Sequence, residues 1–200
     1  MAGVNSNIRT QICIVGGGPA GLMAGLLFAR AGVETLVREK HADFLRDFRG
    51  DTVHPSTLEL FAQLGWLDEL LGLPHVRVDR ISARVGGKFV QIADFSHLPV
   101  PAPFIAMMPQ WDLLDFIARK AKAYPGFRLE MNREVTSLTK QSNGQVSGVV
   151  LAEGSMVEAD LIIAADGRGS VLRKAGELPM ETLGAPMDVF WFRVEKAPGD

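Results

Sequence analysis

Ile12-Cys13-Ile14-Val15-Gly16-Gly17-Gly18-Pro19-Ala20-Gly21 is an apolar run that stops at three glycines and passes at once into a helical pattern. A nearly continuous apolar run predicts a parallel strand covered on both faces, and therefore a central one. The glycines at 16, 18 and 21 have the G-x-G-x-x-G spacing. In that spacing the first glycine permits the tight turn, the second lets a pyrophosphate approach the backbone, and the third lets the helix pack on the strand. Pro19 suits the first helical turn, where an N–H would lack a partner in any case. The remaining free N–H groups, with the positive end of the helix dipole, form an anion site.

Moving outward, the helix predicted over Pro19 to Arg30 ends at Gly32, a residue suited to the position after a helix cap. Thr35 to Arg38 then reads as a second short strand, and Glu39 ends it 18 residues past Gly21. An acid about there accepts hydrogen bonds from a ribose 2′-hydroxyl; without the glycines, Glu39 would read as a solvated strand end. Arg38 and Lys40 would suit a 2′-phosphate, but strand alternation turns Arg38 away from Glu39 and makes it a surface charge.

Composition narrows the classes. With 47% hydrophobic residues, 200 residues can bury a real core in one or two domains. A net charge of −2 offers nothing to nucleic acid or an acidic membrane. The histidines His41, His54, His75 and His97 are scattered, and Cys13 is the only cysteine, so neither an intrachain disulfide nor a cysteine-type zinc site is expected. Cys13 reads as a small buried hydrophobe. The uncharged run Ile12 to Ala29 has about the length of a membrane span or a secretory core, but the glycine turn interrupts both. The chain therefore reads as soluble and cytoplasmic, with no membrane span.

Further along, Lys40 to Asp51 is charged and irregular, and a helix opens after His54 with Leu58, Phe61 and Leu64 on one face, ending at Gly65. Arg80 to Val85 and Lys88 to Ala93 alternate about Gly86-Gly87, which predicts a β-hairpin insertion. Pro99, Pro101, Pro103 and Pro109 keep the following stretch irregular. Gln110 to Ala123 is an amphipathic helix and Phe127 to Met131 a strand. Arg133 to Thr139 and Gln145 to Leu151 flank the turn Ser142-Asn143-Gly144, and Met156 to Ala159 continues the β pattern. Asp160 to Ala165 reads as a buried strand ending at Asp166-Gly167, before a short helix that Ser170 caps.

With these pieces placed, the sequence resembles the FAD-dependent monooxygenases of the para-hydroxybenzoate hydroxylase type, the class A aromatic hydroxylase-like flavoproteins, over essentially all 200 residues. Three stretches carry the resemblance: Gly16 to Gly21 with Glu39; Phe48-Arg49-Gly50-Asp51-Thr52-Val53-His54-Pro55-Ser56-Thr57-Leu58; and Asp160 to Arg173. The last contains Asp166-Gly167, Ser170 and Arg173 in the family's Asp-Gly pattern, which ordinary nicotinamide dehydrogenases lack. The implied fold is α/β, an FAD/NAD(P)-binding Rossmann-like parallel sheet with helices and a β-hairpin insertion, plus part of a β-rich substrate domain. Residues 1–75 and 108–178 would form the cofactor domain, and 76–107 with 179–200 part of the substrate domain.

The resemblance implies FAD as cofactor and NAD(P)H as co-substrate, with molecular oxygen and a small aromatic or apolar compound as substrates. Gly16, Gly18, Pro19, Ala20 and Gly21 would hold the pyrophosphate, with Glu39 at the adenosine ribose and the adjacent Lys40 among the cofactor-binding residues. The Val135 backbone would lie at adenine, Arg49 and Gln110 at the flavin side, and Asp166-Gly167 near the pyrophosphate with a second role in NAD(P)H use. The family forms a flavin C4a-hydroperoxide, so the cofactor performs the chemistry and no catalytic side chain is named; His54 reads as structural. A same-fold reductase or halogenase, and a nucleotide-binding module without turnover, stay open as alternatives.

One departure stands out. The family's third FAD motif, an apolar strand ending in Gly-Asp before a helix, has no counterpart, since Gly50-Asp51 follows charged residues and Gly199-Asp200 has no helix after it. The expectation is an N-terminal fragment whose apolar faces at Leu161 to Ala165 and Val189 to Phe192 are partly uncovered. Such faces would weaken FAD binding or draw copies into a homo-oligomer.

Overall fold

The structure, a computed structural model, describes residues 8–45, 51–181 and 183–184. The chain divides into two compact units, Met1–Phe44 with Leu114–Ala185 and Leu45–Leu113 with Pro186–Asp200.

The first unit is built on the apolar run. That run forms β1 (Ile8–Val15), the glycine turn leads into α1 (Pro19–Arg30), and the chain returns in β2 (Thr35–Arg38). Helix α1 stops because Gly32 adopts φ +83°, a conformation that costs glycine nothing. Its N–H then bonds the Ala29 carbonyl at 3.0 Å while the Val33 N–H reaches back to Phe28 at 3.0 Å, the paired closure of a Schellman motif. Gly25 lets α1 lie against the sheet, since a Cβ there would come within 2.8 Å of Val37 Cγ2 and 2.9 Å of a Phe127 ring carbon.

The second unit begins with β3 (Thr52–Val53), α2 (Pro55–Gln63), α3 (Leu67–Leu71), β4 (Val76–Val78), β5 (Arg80–Val85), β6 (Lys88–Asp94) and β7 (Ile105–Met107). Strands β5 and β6 pair antiparallel about Gly86-Gly87, as the sequence predicts. The proline-rich stretch is less irregular than expected. Ile105–Met107 forms the middle strand of a three-stranded sheet ordered β3-β7-β4. Strands of two and three residues are too short to show an alternation, so their pairing leaves no pattern in the sequence.

The remaining elements are α4 (Gln110–Ala121), β8 (Phe127–Glu130), β9 (Val135–Lys140), β10 (Val146–Leu151), β11 (Met156–Ala164) and α5 (Val171–Ala175). The large sheet of the first unit has the order β8-β2-β1-β11-β10-β9. Its first four strands are parallel and β10 and β9 join antiparallel, so β1 is interior, as its apolar run requires. Cys13, Leu36, Val149 and Val157 pack in its core with Leu172 of α5. Ser170 caps α5, its hydroxyl accepting the Arg173 N–H at 2.9 Å.

Two expectations need correction. Met156–Ala164 is one continuous strand rather than two pieces, and its last residues are not fully buried, because β10 pairs with it only from Met156 to Glu158. Leu161 is 48% exposed. Arg38 is not a surface charge but 3% exposed, paired with Glu130 of the neighbouring strand β8. Alternation does turn it away from Glu39, but the face it reaches is covered, and β8 supplies the counter-charge that burial demands. Val189 to Phe192 lies outside the described residues.

Candidate functional site

The site starts at the β1–α1 turn, where the glycines do different work. Gly16 has φ +108°, and a Cβ on it would collide with the Ala165 carbonyl. Gly21 has its own constraint, since a Cβ there would collide with the Gly16 carbonyl and press on Ala165 at 3.3 Å. Both are required by the fold itself. Gly18 differs: its backbone is extended, at φ −73° and ψ −177°, and a Cβ on it would meet nothing within 4 Å. The fold tolerates a side chain there, so the open space is free for a ligand.

Helix α1 begins in the manner of an anion site. Its first backbone bond runs from the Leu22 N–H to the Gly18 carbonyl at 2.9 Å, no side chain caps the end, and Pro19 has no N–H. The amides of Ala20 and Gly21 precede that first bond and carry the positive end of the dipole. An uncapped helix start beside a glycine with open space fits a diphosphate.

Glu39 ends β2 beside this turn and is 8% exposed. Its Oε2 accepts the Gly17 N–H at 2.7 Å, and its Oε1 accepts the His41 N–H at 3.0 Å and lies 2.6 Å from His41 Nδ1. Burial pushes its carboxyl upward, but the bonds from Gly17 and His41 outweigh burial and hold it below the ordinary value of 4.5. A carboxylate depressed on folding stabilises the protein fully above the unfolded value and loses that contribution as pH falls through the folded one. Urea unfolding followed from pH 6 to 3 is therefore expected to give a shallower acid loss for Glu39→Gln than for the wild type; identical slopes would remove Glu39 from the acid limb.

The segment after β8 closes over the Glu39 backbone. The Glu39 N–H donates to the Glu130 carbonyl at 2.9 Å, the Arg133 N–H to the Glu39 carbonyl at 2.8 Å, and the Asn132 N–H to the His41 carbonyl at 2.9 Å. Asn132 makes this turn with φ +55°. These bonds carry Val135, at the start of β9, into the neighbourhood of Glu39. Its side chain is core, leaving only its backbone for a ligand. Lys40 is exposed.

Asp166 follows β11 and caps α5, its Oδ2 accepting the Val171 and Leu172 N–H groups at 2.8 and 3.2 Å. Its Oδ1 is buried without a hydrogen-bond partner, the condition of an acceptor that a ligand donor can satisfy. Gly167 has φ +80° with open space at its Cβ position. Leu138, Leu161, Leu172 and Asp166 line a cavity of about 600 Å³.

Gln110 belongs to the second unit, where its N–H donates to Asp51 Oδ1 at 3.2 Å, and Asp51 also binds the Met108 N–H through its carbonyl at 2.9 Å. Arg49 lies outside the described residues. The structure thus gathers Gly16, Gly18, Pro19, Ala20, Gly21, Glu39, Lys40, Val135, Asp166 and Gly167 in the first unit. Sequence reasoning missed His41 on Glu39 and Asp51 at the start of α4. The Asp51 bond joins positions 59 residues apart and leaves no local signal. Among the described residues, no group of three or more ligating side chains could hold a metal, and no helix is long and apolar enough to cross a membrane.

The family described as FAD binding domain matches residues 9–199. The 6-methylpretetramide 4-monooxygenase of Streptomyces rimosus is 31% identical over 190 residues, which make up 93% of this chain and 45% of that protein. The menaquinone reductase of Mycolicibacterium smegmatis is 32% identical over 174 residues, 83% of this chain and 39% of that protein. Among solved structures, the anhydrotetracycline hydroxylase from Streptomyces rimosus superposes with a TM-score of 0.71 at 29% identity, covering 84% of this chain and 34% of that one. The chain spans less than half the length of these proteins.

Proposed function

We propose, from the premise that this chain belongs to the FAD binding domain family of class A flavin monooxygenases, that the intact protein is an NAD(P)H-dependent hydroxylase of a small aromatic or apolar compound. The observation that carries the cofactor assignment is Gly18, a glycine that neither backbone strain nor packing demands, beside an uncapped helix start. When bound, FAD supplies the hydride acceptance and oxygen activation that the side chains of this fold lack. The names of two relatives, a 4-monooxygenase and a hydroxylase, support oxygen insertion.

The chain's own residues bind and orient. The amides at Ala20 and Gly21 and the open side of Gly18 receive the diphosphate. Glu39, held ionised, accepts the ribose hydroxyls, and the Val135 backbone meets adenine. Asp166, with its unpartnered Oδ1, and Gly167 take the neighbouring polar atoms. The flavin-side roles of Arg49 and Gln110 belong to the same proposal. So do the division into a cofactor domain of residues 1–75 and 108–178 and a substrate domain that includes 76–107 and 179–200, and a cytoplasmic setting.

The menaquinone reductase relative favours a second function, a flavin-dependent reductase without oxygen insertion. The test is the intact protein purified and its visible spectrum recorded, then NAD(P)H and isotopically labelled oxygen added with candidate aromatic compounds. Oxidised-flavin bands and label in the product are expected. Flavin bands with reduced product and no label would favour the reductase, and a protein without flavin bands that also fails to take up added FAD would overturn the cofactor assignment.

A further inference from the structure

The β5–β6 ribbon of the second unit has an apolar face that its own pairing leaves open. Among the described residues these two strands bond only to each other. Opposed residues of an antiparallel pair share a face, so Ala83 lies beside Val90 and Ile81 beside Ala93, with Val85 on the same face next to the turn. Ile81, Val85 and Val90 are all exposed. The opposite face carries the pairs Arg80–Asp94, Ser82–Gln91 and Arg84–Phe89, and is polar apart from the phenylalanine. A two-stranded ribbon is marginal by itself, whereas three strands with one apolar face make an independently stable sheet.

We infer that residues 189–194, Val-Phe-Trp-Phe-Arg-Val, pair with the free edge of β6 and turn the ribbon into a three-stranded sheet. These residues lie outside the described ones, in the stretch Pro186–Asp200 that belongs to the second unit together with the ribbon. The inference rests on the proposed grouping of 76–107 with 179–200 in one domain and is independent of the cofactor assignment. Length favours β6, which offers seven residues, whereas the edge strands of the β3-β7-β4 sheet have two and three. All but one residue of the run are aromatic or β-branched, the types that fit a pleated, half-buried surface. Alternation puts Phe190, Phe192 and Val194 on one face, where they extend the apolar row of Val90, Ala83 and Ile81. Trp191 and Arg193 then fall on the polar face. Beside β6 they meet Phe89, Gln91 and Asp94; beside β5 the same arginine would meet Arg80 and Arg84, and like charges on neighbouring strands repel. Charge therefore selects the β6 edge over the β5 edge.

The experiment is hydrogen–deuterium exchange, read by mass spectrometry, on the full 200-residue chain and on its Phe190→Pro/Phe192→Pro variant. Proline gives no N–H to a ladder, so the variant cannot keep the added strand. In the wild type the amides of 189–194 are expected to exchange more slowly than in a free peptide of that sequence. In the variant this protection is lost and residues 88–94 exchange faster, while β1 and β11 stay unchanged and show that the chain is folded. A protected segment beside unaltered β6 exchange would overturn the pairing and leave the domain grouping standing; a segment that exchanges like the free peptide would overturn both. Cysteine pairs then identify the edge. Phe190→Cys, Phe192→Cys or Val194→Cys is combined in turn with Val90→Cys or Ala83→Cys and treated with dibromobimane, a short thiol cross-linker. Cys13 does not compete, since it is buried and loss of solvent pushes its thiol up to about 11. Cross-linking within one chain is expected from position 90 in preference to position 83. A preference for position 83 would put the strand on β5, and a product found only between chains would make the partner a second copy; either result overturns the inference.

Discussion

Gly18→Val is expected to weaken FAD binding by at least about 100-fold while the protein still folds. The position makes this separation sharp. Its φ of −73° is open to any residue, and a Cβ on it finds nothing within 4 Å, so a valine breaks no native contact. The cost to the fold is that of a poorer helix cap, about 1 kcal/mol, or a few degrees in melting temperature. For a ligand the change is severe, because a branched side chain then stands where a diphosphate must come within hydrogen-bond distance of the Ala20 and Gly21 amides. Losing two or more such bonds to a charged group amounts to about 3 kcal/mol or more. The measurement is FAD titration followed by flavin fluorescence, with a thermal melt as control. A folded Gly18→Val protein that binds FAD like the wild type would show that the diphosphate is not seated at this turn.

Two residues earlier the same chemistry has the opposite outcome. Gly16→Ala is expected to cost about 4 kcal/mol of stability, combining a backbone conformation that L-residues resist with a Cβ driven into the Ala165 carbonyl. Since small domains are stable by only about 5–15 kcal/mol, such a loss should shift the denaturation midpoint well below that of Gly18→Val. The strand end at Ala165 cannot retreat easily, because the Ala165 N–H is bonded to the Val15 carbonyl at 2.8 Å across the sheet. Urea unfolding of the two variants side by side decides the matter. If Gly16→Ala unfolds at the wild-type midpoint, the close approach of the turn to Ala165 is not a feature of the folded protein. Together the variants assign one glycine of the motif to folding and another to the ligand.

Much of this molecule is legible along the chain because it is governed by short-range sterics. The run Ile12 to Val15 specifies a strand buried on both faces, Gly32 and Gly65 stop their helices by adopting positive φ, and Gly86-Gly87 turns a hairpin between two alternating segments. The G-x-G-x-x-G spacing with Glu39 points to a dinucleotide in the same local way, while the choice of FAD came from the family resemblance that Asp166-Gly167 helps to carry, and the family match over residues 9–199 agrees. What lay out of reach was every choice of a distant partner. Arg38 is a charged residue in an alternating strand, and nothing near it in sequence says that Glu130, 92 residues away, will take up its charge in the interior. Asp51 reads as part of a charged loop until the fold sets it at the start of α4. The small β3-β7-β4 sheet exists only because three segments too short to specify a strand alone are brought together.

The site shows the same division. Sequence by itself determined the residue types: glycines that leave room, a helix start that favours an anion, an acid at the end of the second strand. Only the tertiary structure decided that Glu39 folds back onto the Gly17 amide with His41 on its other oxygen, and that Gly18, unlike Gly16 and Gly21, faces open space. The physical reason is one of range. Turns, caps and periodicity are settled within about one helical turn of the chain, whereas burial, charge pairing and free volume are properties of what packs against a residue, and that is known only once the whole chain has been placed.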